Sequence, residues 1–140
     1  MAYMSQEKKA KIVAAVKPIL KKYGVKGTFA VRNHSTICLN LKQGKIDFVE
    51  NYIQTKSPVA PQMTEDQIAY LRKNRALDVN PYWFHEHYSG SAKQFLTEVF
   101  TKMKSAGEWY DNSDIQTDYF DTAYYVDVNV GNWKKPYEVV

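Results

Sequence analysis

The apolar residues of this 140-residue chain change period along its length, and that change limits the folds open to it. Ile12, Val13, Val16, Ile19, Leu20 and Tyr23 recur at helical spacing, with Ser5 placed to cap the start, Glu7 in the first turn and Gly24 to stop the helix. Pro18 interrupts this run and predicts a kink, or the first residue of a second short turn. From Thr28 the period becomes two. Phe29 and Val31 alternate with Ala30 and Arg32, Asn33-His34-Ser35 reads as a turn, and Thr36 to Leu41 reads as a second strand. Lys42-Gln43-Gly44-Lys45 reads as a hairpin turn and Ile46 to Ile53 as a third strand, giving an antiparallel meander.

The second half carries both periods again. Residues 54–63 hold Pro58 and Pro61 and read as an exposed connection. Thr64-Glu65-Asp66-Gln67 is a capping-box pattern that starts a helix running to about Ala76. Leu77 to Val79 is a short strand candidate. Ser89-Gly90-Ser91 opens a further helix with the stripe Phe95, Leu96, Val99, Phe100 and Met103, ended by Gly107. Residues 108–118 are turn-rich and acidic. Tyr124 to Val130 alternates as a strand, and Trp133 to Val140 reads as a short terminal strand or tail. The sum is an α+β domain over residues 1–140. It has a single antiparallel sheet of four to six strands and two to three helices, mostly on one face. The length suits one core rather than two.

Charge is polarised along this frame. Residues 1–60 hold 11 Lys/Arg against 3 Asp/Glu, a balance of +8, and residues 61–140 hold 8 against 12, a balance of −4. Fifteen of the 20 aromatic residues lie in the second part, so rings and acidic groups occur together, away from the lysines. The single cysteine, Cys38, excludes an internal disulfide, which suits a reducing cytosol. Its place in an alternating run reads as a small buried side chain. The polar, Lys-rich N-terminus has no signal-peptide core, and no apolar run approaches the ~20 residues that span a bilayer. Phosphate-loop, dinucleotide-binding, zinc-protease and EF-hand patterns are absent, and no cofactor is expected.

Three groups of residues are candidates for contact or chemistry. Tyr82-Trp83-Phe84-His85-Glu86-His87-Tyr88 places six rings in seven residues. Core packing takes part of these, and the rest supply large contact area at low entropy cost. On a strand, His85 and His87 would share a face and could approach one metal, although zinc needs a third ligand that this spacing does not provide. Asp111, Asp114, Asp118 and Asp121, with Gln116 between them, read mainly as a solvated turn region. The lysines of the first helix, with Lys26 and Arg32, could meet phosphates, but they spread around the helix and have few rings beside them.

Several segments have a familiar order. Met4-Ser5-Gln6-Glu7-Lys8-Lys9 leads to Lys21-Lys22-Tyr23-Gly24-Val25-Lys26-Gly27 and then to Val31-Arg32-Asn33-His34-Ser35-Thr36. Tyr82 to Gly90 leads into the helix with Phe95-Leu96. Asp111 to Asp121 is followed by Tyr124 to Gly131 and by Trp133-Lys134-Lys135-Pro136-Tyr137. Together these resemble the large polyvalent protein-associated domain 29 family of bacteriophages and conjugative elements, over most of the chain and most weakly at residues 54–78. The resemblance implies an α+β domain with no catalytic assignment. It also implies a role in the cytosol of a host cell, where the protein would antagonise an antiviral defence by binding a protein target or a small nucleotide signal.

On that reading Trp83, Tyr88 and Tyr119 stack or anchor, beside Tyr82, while His85, His87, Asp114, Gln116 and Asp118 supply hydrogen bonds. Two alternatives stand beside it. One is a nucleic-acid-binding protein using Lys8, Lys11, Lys17, Lys21, Lys22, Lys26 and Arg32. The other is a metal-dependent enzyme working through His85 and His87. The charge split also admits a homo-oligomer in which basic and acidic surfaces meet. A membrane partner is not expected.

Overall fold

The computed structural model describes residues 2–55, 63–111, 122–132 and 134–140. The first helix, α1, spans Gln6–Tyr23 and runs through Pro18. Its N-cap is Ser5, whose hydroxyl accepts from the Lys8 N–H at 3.1 Å. Gly24 closes the helix in the left-handed conformation at φ 67°. Strands β1 (Val25–Arg32) and β2 (Thr36–Gly44) form the antiparallel hairpin that the alternation predicts, with Phe29 opposite Leu39.

The expected third strand at Ile46 to Ile53 is a helix, α2 (Phe48–Gln54). Asp47 is the reason: its carboxylate accepts from the Glu50 N–H at 3.1 Å and caps the start of the helix. Phe48, Val49, Tyr52 and Ile53 then fall at the i, i+1, i+4, i+5 spacing of a helical face. The capping box of Thr64 and Gln67 opens α3 (Glu65–Asn74) as expected. β3 (Leu77–Val79), a short α4 (Phe84–His87), α5 (Gly90–Ser105), β4 (Tyr125–Val130) and β5 (Glu138–Val139) complete the fold.

The class is α+β, with one five-stranded sheet and five helices among the described residues. The sheet is mixed rather than antiparallel throughout. Its order is β1-β2-β4-β3, with β2 and β4 parallel, Leu39 opposite Val128, and β5 added parallel to the end of β2. A parallel pair needs a long crossover, and here that crossover is residues 45–124, which carry α2 to α5.

Register decides what each face of the sheet becomes. Phe29, Val31, Ile37, Leu39, Leu41, Val79, Val126, Val128 and Val130 share one cluster with Ile12, Val16 and Leu20 of α1, Phe48 of α2, and Phe95, Leu96, Val99 and Met103 of α5. That is the core, and the helices that supply it all lie on this face, as the sequence predicts. Thr28, Ala30, Arg32, Cys38, Asn40, Lys42, Asp127, Asn129 and Asp78 alternate onto the opposite face. The start of α5 is fixed by Asn51, whose amide donates to the Ser89 carbonyl at 3.0 Å and accepts from the Ser89 N–H at 2.9 Å. That tie also seats the preceding segment, residues 80–88. No helix among the described residues is long and apolar enough to cross a membrane.

Candidate functional site

The ring-rich segment divides into an inward and an outward set. Asn80 starts it: its side-chain oxygen accepts from the Tyr82 N–H at 2.8 Å and the Trp83 N–H at 3.1 Å. This is an Asx turn, which holds both backbones without help from their side chains. Phe84 and Tyr88, one helical turn apart, point into the protein. Phe84 stacks on Phe100 of α5 at 4.8 Å between ring centres, and Tyr88 packs against Tyr52 and Phe48 of α2. These contacts bolt the turn to the core. Tyr82 and Trp83 are left outside, 70% and 49% exposed, with His85 exposed beside them.

Of the ring residues expected at a contact face, Tyr82, Trp83 and His85 are therefore available. Tyr88 is a correction: it is 1% exposed and belongs to the core, because as the C-cap of α4 it sits one turn after Phe84, on the same inward side. Its hydroxyl is buried with no hydrogen-bond partner among the described residues, and burial holds its ionisation far above the usual tyrosine range. An unpaired buried hydroxyl costs about 1–3 kcal/mol. Tyr88→Phe is therefore expected to raise the thermal unfolding midpoint by a few degrees. A fall of several degrees would mean that the hydroxyl has a stabilising partner.

The histidines do not act as a pair. The segment is helical rather than extended, and residues two apart on a helix point about 200° apart. His85 is exposed, with Nε2 3.9 Å from Glu86 Oε1, while His87 is half-buried with its ring edge-on to Tyr52 at 5.6 Å. No cluster of three or more His, Cys, Asp or Glu side chains that could hold a metal occurs among the described residues. Asp114, Gln116, Asp118 and Tyr119 lie outside the described residues.

The basic residues are dispersed, and several are engaged. Lys22 pairs with Glu98 of α5 at 3.1 Å, and Tyr23 donates its hydroxyl to the same carboxylate. Both bonds hold the Glu98 carboxyl below the usual range. Lys8 lies over the Tyr124 ring at 5.8 Å. Arg32 pairs with Asp127 at 3.2 Å. Lys11, Lys17 and Lys21 are exposed on α1 and Lys26 on β1. Lys17 and Lys21 share a side of the helix, whereas Lys11, six residues before Lys17, points about 120° away.

One polar constellation escapes sequence reading. On the face of the sheet opposite the core, Asp127 pairs with Arg32 at 3.2 Å and accepts from the Asn129 amide at 3.3 Å, and the same amide donates to the Asn40 oxygen at 3.2 Å. Cys38 sits within this network, its Sγ 3.8 Å from Asp127 Oδ2, and burial pushes its thiol up. A thiol held protonated beside a carboxylate already paired with arginine is a poor nucleophile.

No known protein family, curated protein or solved structure matches this chain. Its function is therefore read from its own side chains. The described groups favour contact over covalent chemistry: two large rings held outward by a backbone clamp, the exposed imidazole of His85 beside them, and a thiol kept neutral.

Proposed function

We propose that the protein acts by binding, and that the Tyr82–Trp83 turn with His85 is the face that meets its target. The Asn80 clamp carries this reading, because two large rings exposed on a fixed backbone lose little conformational freedom on contact. Tyrosine and tryptophan in that state are the residue types that dominate protein interfaces. The resemblance to the polyvalent protein-associated domain gives the binding a setting: a phage or mobile-element factor that blocks a component of host antiviral defence. A protein surface suits the exposed pair better than a small ligand does, since both rings stand open to solvent on one turn.

The test uses the whole chain as bait in host lysate, side by side with a Tyr82→Ala/Trp83→Ala chain. A partner retained by the first and lost by the second supports the reading. A partner retained equally by both overturns it.

A further inference from the structure

Strand β1 (Val25–Arg32) forms one edge of the sheet, and among the described residues no strand pairs with its outer side. The alternation of bonds across the sheet fixes which backbone groups face that side. The Tyr125 N–H donates to the Ser35 carbonyl and the Gly131 N–H to the Leu41 carbonyl, each at 2.9 Å. Ser35 and Leu41 thus turn their backbone groups toward β4, and so do Ile37 and Leu39 between them. Thr36, Cys38 and Asn40 turn theirs toward β1, where they meet Arg32, Ala30 and Thr28. The N–H and C=O groups of Gly27, Phe29 and Val31 are left pointing away from the sheet. We propose that this edge accepts an extended, acidic segment of another protein as an added strand, at a site independent of the aromatic turn.

The side chains leave the same edge open. Phe29 and Val31 lie on the core side and are only half-buried, whereas Leu39 and Ile37 opposite them are fully buried. Leu39 and Ile37 have a strand on each side, and Phe29 and Val31 have one on a single side. Natural sheets guard such edges with lysines, prolines and bulges. β1 carries guards only toward its ends, with Lys26 at the irregularity between Lys26 and Gly27, and Arg32 before the turn. The stretch from Gly27 to Val31 has no charge and no proline. Its three outward donors and three outward acceptors match the ladder of one further strand.

Charge selects the occupant. Residues 8–46, which take in nearly all of α1 and the whole of β1 and β2, hold ten Lys/Arg and no Asp/Glu. Arg32 is already paired with Asp127, which leaves the exposed Lys26 as the cation that β1 itself offers. A strand with a carboxylate beside Lys26 and apolar residues beside Phe29 and Val31 complements both. A second copy of the chain fits less well. For β1 to meet its own copy through all three outward residues, Phe29 must lie opposite Phe29, which sets Lys26 opposite Arg32 at both ends. A contact through β1 alone also commits eight residues a side, well under the roughly 20–30 that a stable interface uses. The aromatic turn follows β3, at the opposite edge of the sheet, so the two surfaces do not overlap.

The synthetic peptide EVTVTVE, blocked at both ends and titrated into the whole chain, tests this through amide hydrogen exchange read residue by residue. In the chain alone the Gly27, Phe29 and Val31 amides are expected to exchange fast, and those of Thr28, Ala30 and Arg32 slowly. Saturating peptide is expected to slow the first three by about tenfold or more and to leave the others unchanged. KVTVTVK should bind at least about threefold more weakly to the parent chain, and Lys26→Glu should reverse that preference. EPPPPPE, which keeps the charges but loses its inner N–H donors, should give no protection. The Tyr82→Ala/Trp83→Ala chain should respond to EVTVTVE as the parent does, which separates this edge from the aromatic turn. The proposal is overturned if no protection appears at about 1 mM peptide, if it centres on Leu77 to Val79, or if EVTVTVE protects no better than KVTVTVK or EPPPPPE. It is overturned equally if the Tyr82→Ala/Trp83→Ala chain loses the response, or if the same three amides become protected when the chain alone is concentrated, which would make the occupant a second copy.

Discussion

Cutting Tyr82 and Trp83 together to alanine is expected to weaken target binding by about 30-fold or more, the ~2 kcal/mol that marks an interface hot spot. Two observations carry that size. The rings are the largest exposed side chains of their segment, and the Asn80 clamp means that little ordering entropy is set against the contacts they make. The same exposure sets the control. Neither ring belongs to the core cluster, so the unfolding free energy should stay within about 0.5 kcal/mol of the parent chain. Titration calorimetry with the captured partner and a thermal scan measure both quantities on one preparation. A drop in binding accompanied by an equal loss of stability would make the rings structural rather than contact residues.

Tyr124→Ala is expected to act in the opposite way, removing about 3–5 kcal/mol of stability, the usual cost of truncating a buried aromatic side chain. Tyr124 is fully buried and joins the end of α5 to the start of β4. Its hydroxyl donates to the Met103 carbonyl and lies 2.9 Å from the Lys104 carbonyl, and its own carbonyl accepts from Trp109 Nε1 at 2.7 Å. Its ring fills the space beside Gly107, where an added Cβ would stand 2.3 Å from the hydroxyl oxygen. Against a total of about 5–15 kcal/mol for a typical domain, that loss is large enough to unfold a sizeable fraction of the chain at 37 °C. Tyr124→Phe keeps the ring and should lose only about 1–3 kcal/mol. Urea unfolding measures both variants. An alanine variant within 1 kcal/mol of the parent would show that the region repacks.

Much of this architecture is legible in the residues. The i, i+3, i+4 stripe before Gly24, the alternation from Thr28 to Leu41 and the Phe95–Met103 stripe each state a local period, and local periods survive folding when one face is buried. The segment after Gly44 misleads because Phe48-Val49 and Tyr52-Ile53 suit a strand by composition, while the Asp47 cap that decides for a helix is a single side chain. The parallel pairing of β2 with β4 cannot be read at all. It joins residues about 89 positions apart, and no local pattern specifies which strand becomes the neighbour.

The candidate site divides along the same line. That the ring cluster splits between core and surface follows from its density, and Tyr82, Trp83 and His85 fall on the outer side. Which rings turn inward depends on a helical turn at Phe84–His87 that four residues are too few to announce, so Tyr88 reads as a contact residue and is a core one. The network of Arg32, Asp127, Asn129 and Asn40 needs the β2–β4 register before it exists.

The central claim is that residue 83 touches the target. A photo-reactive benzoyl-phenylalanine placed at Trp83, compared with the same group at the exposed Lys17 of α1, tests it most directly in cells that contain the target. The account predicts one crosslinked species from position 83 and none from position 17. A crosslink from position 17 with none from position 83 would contradict it.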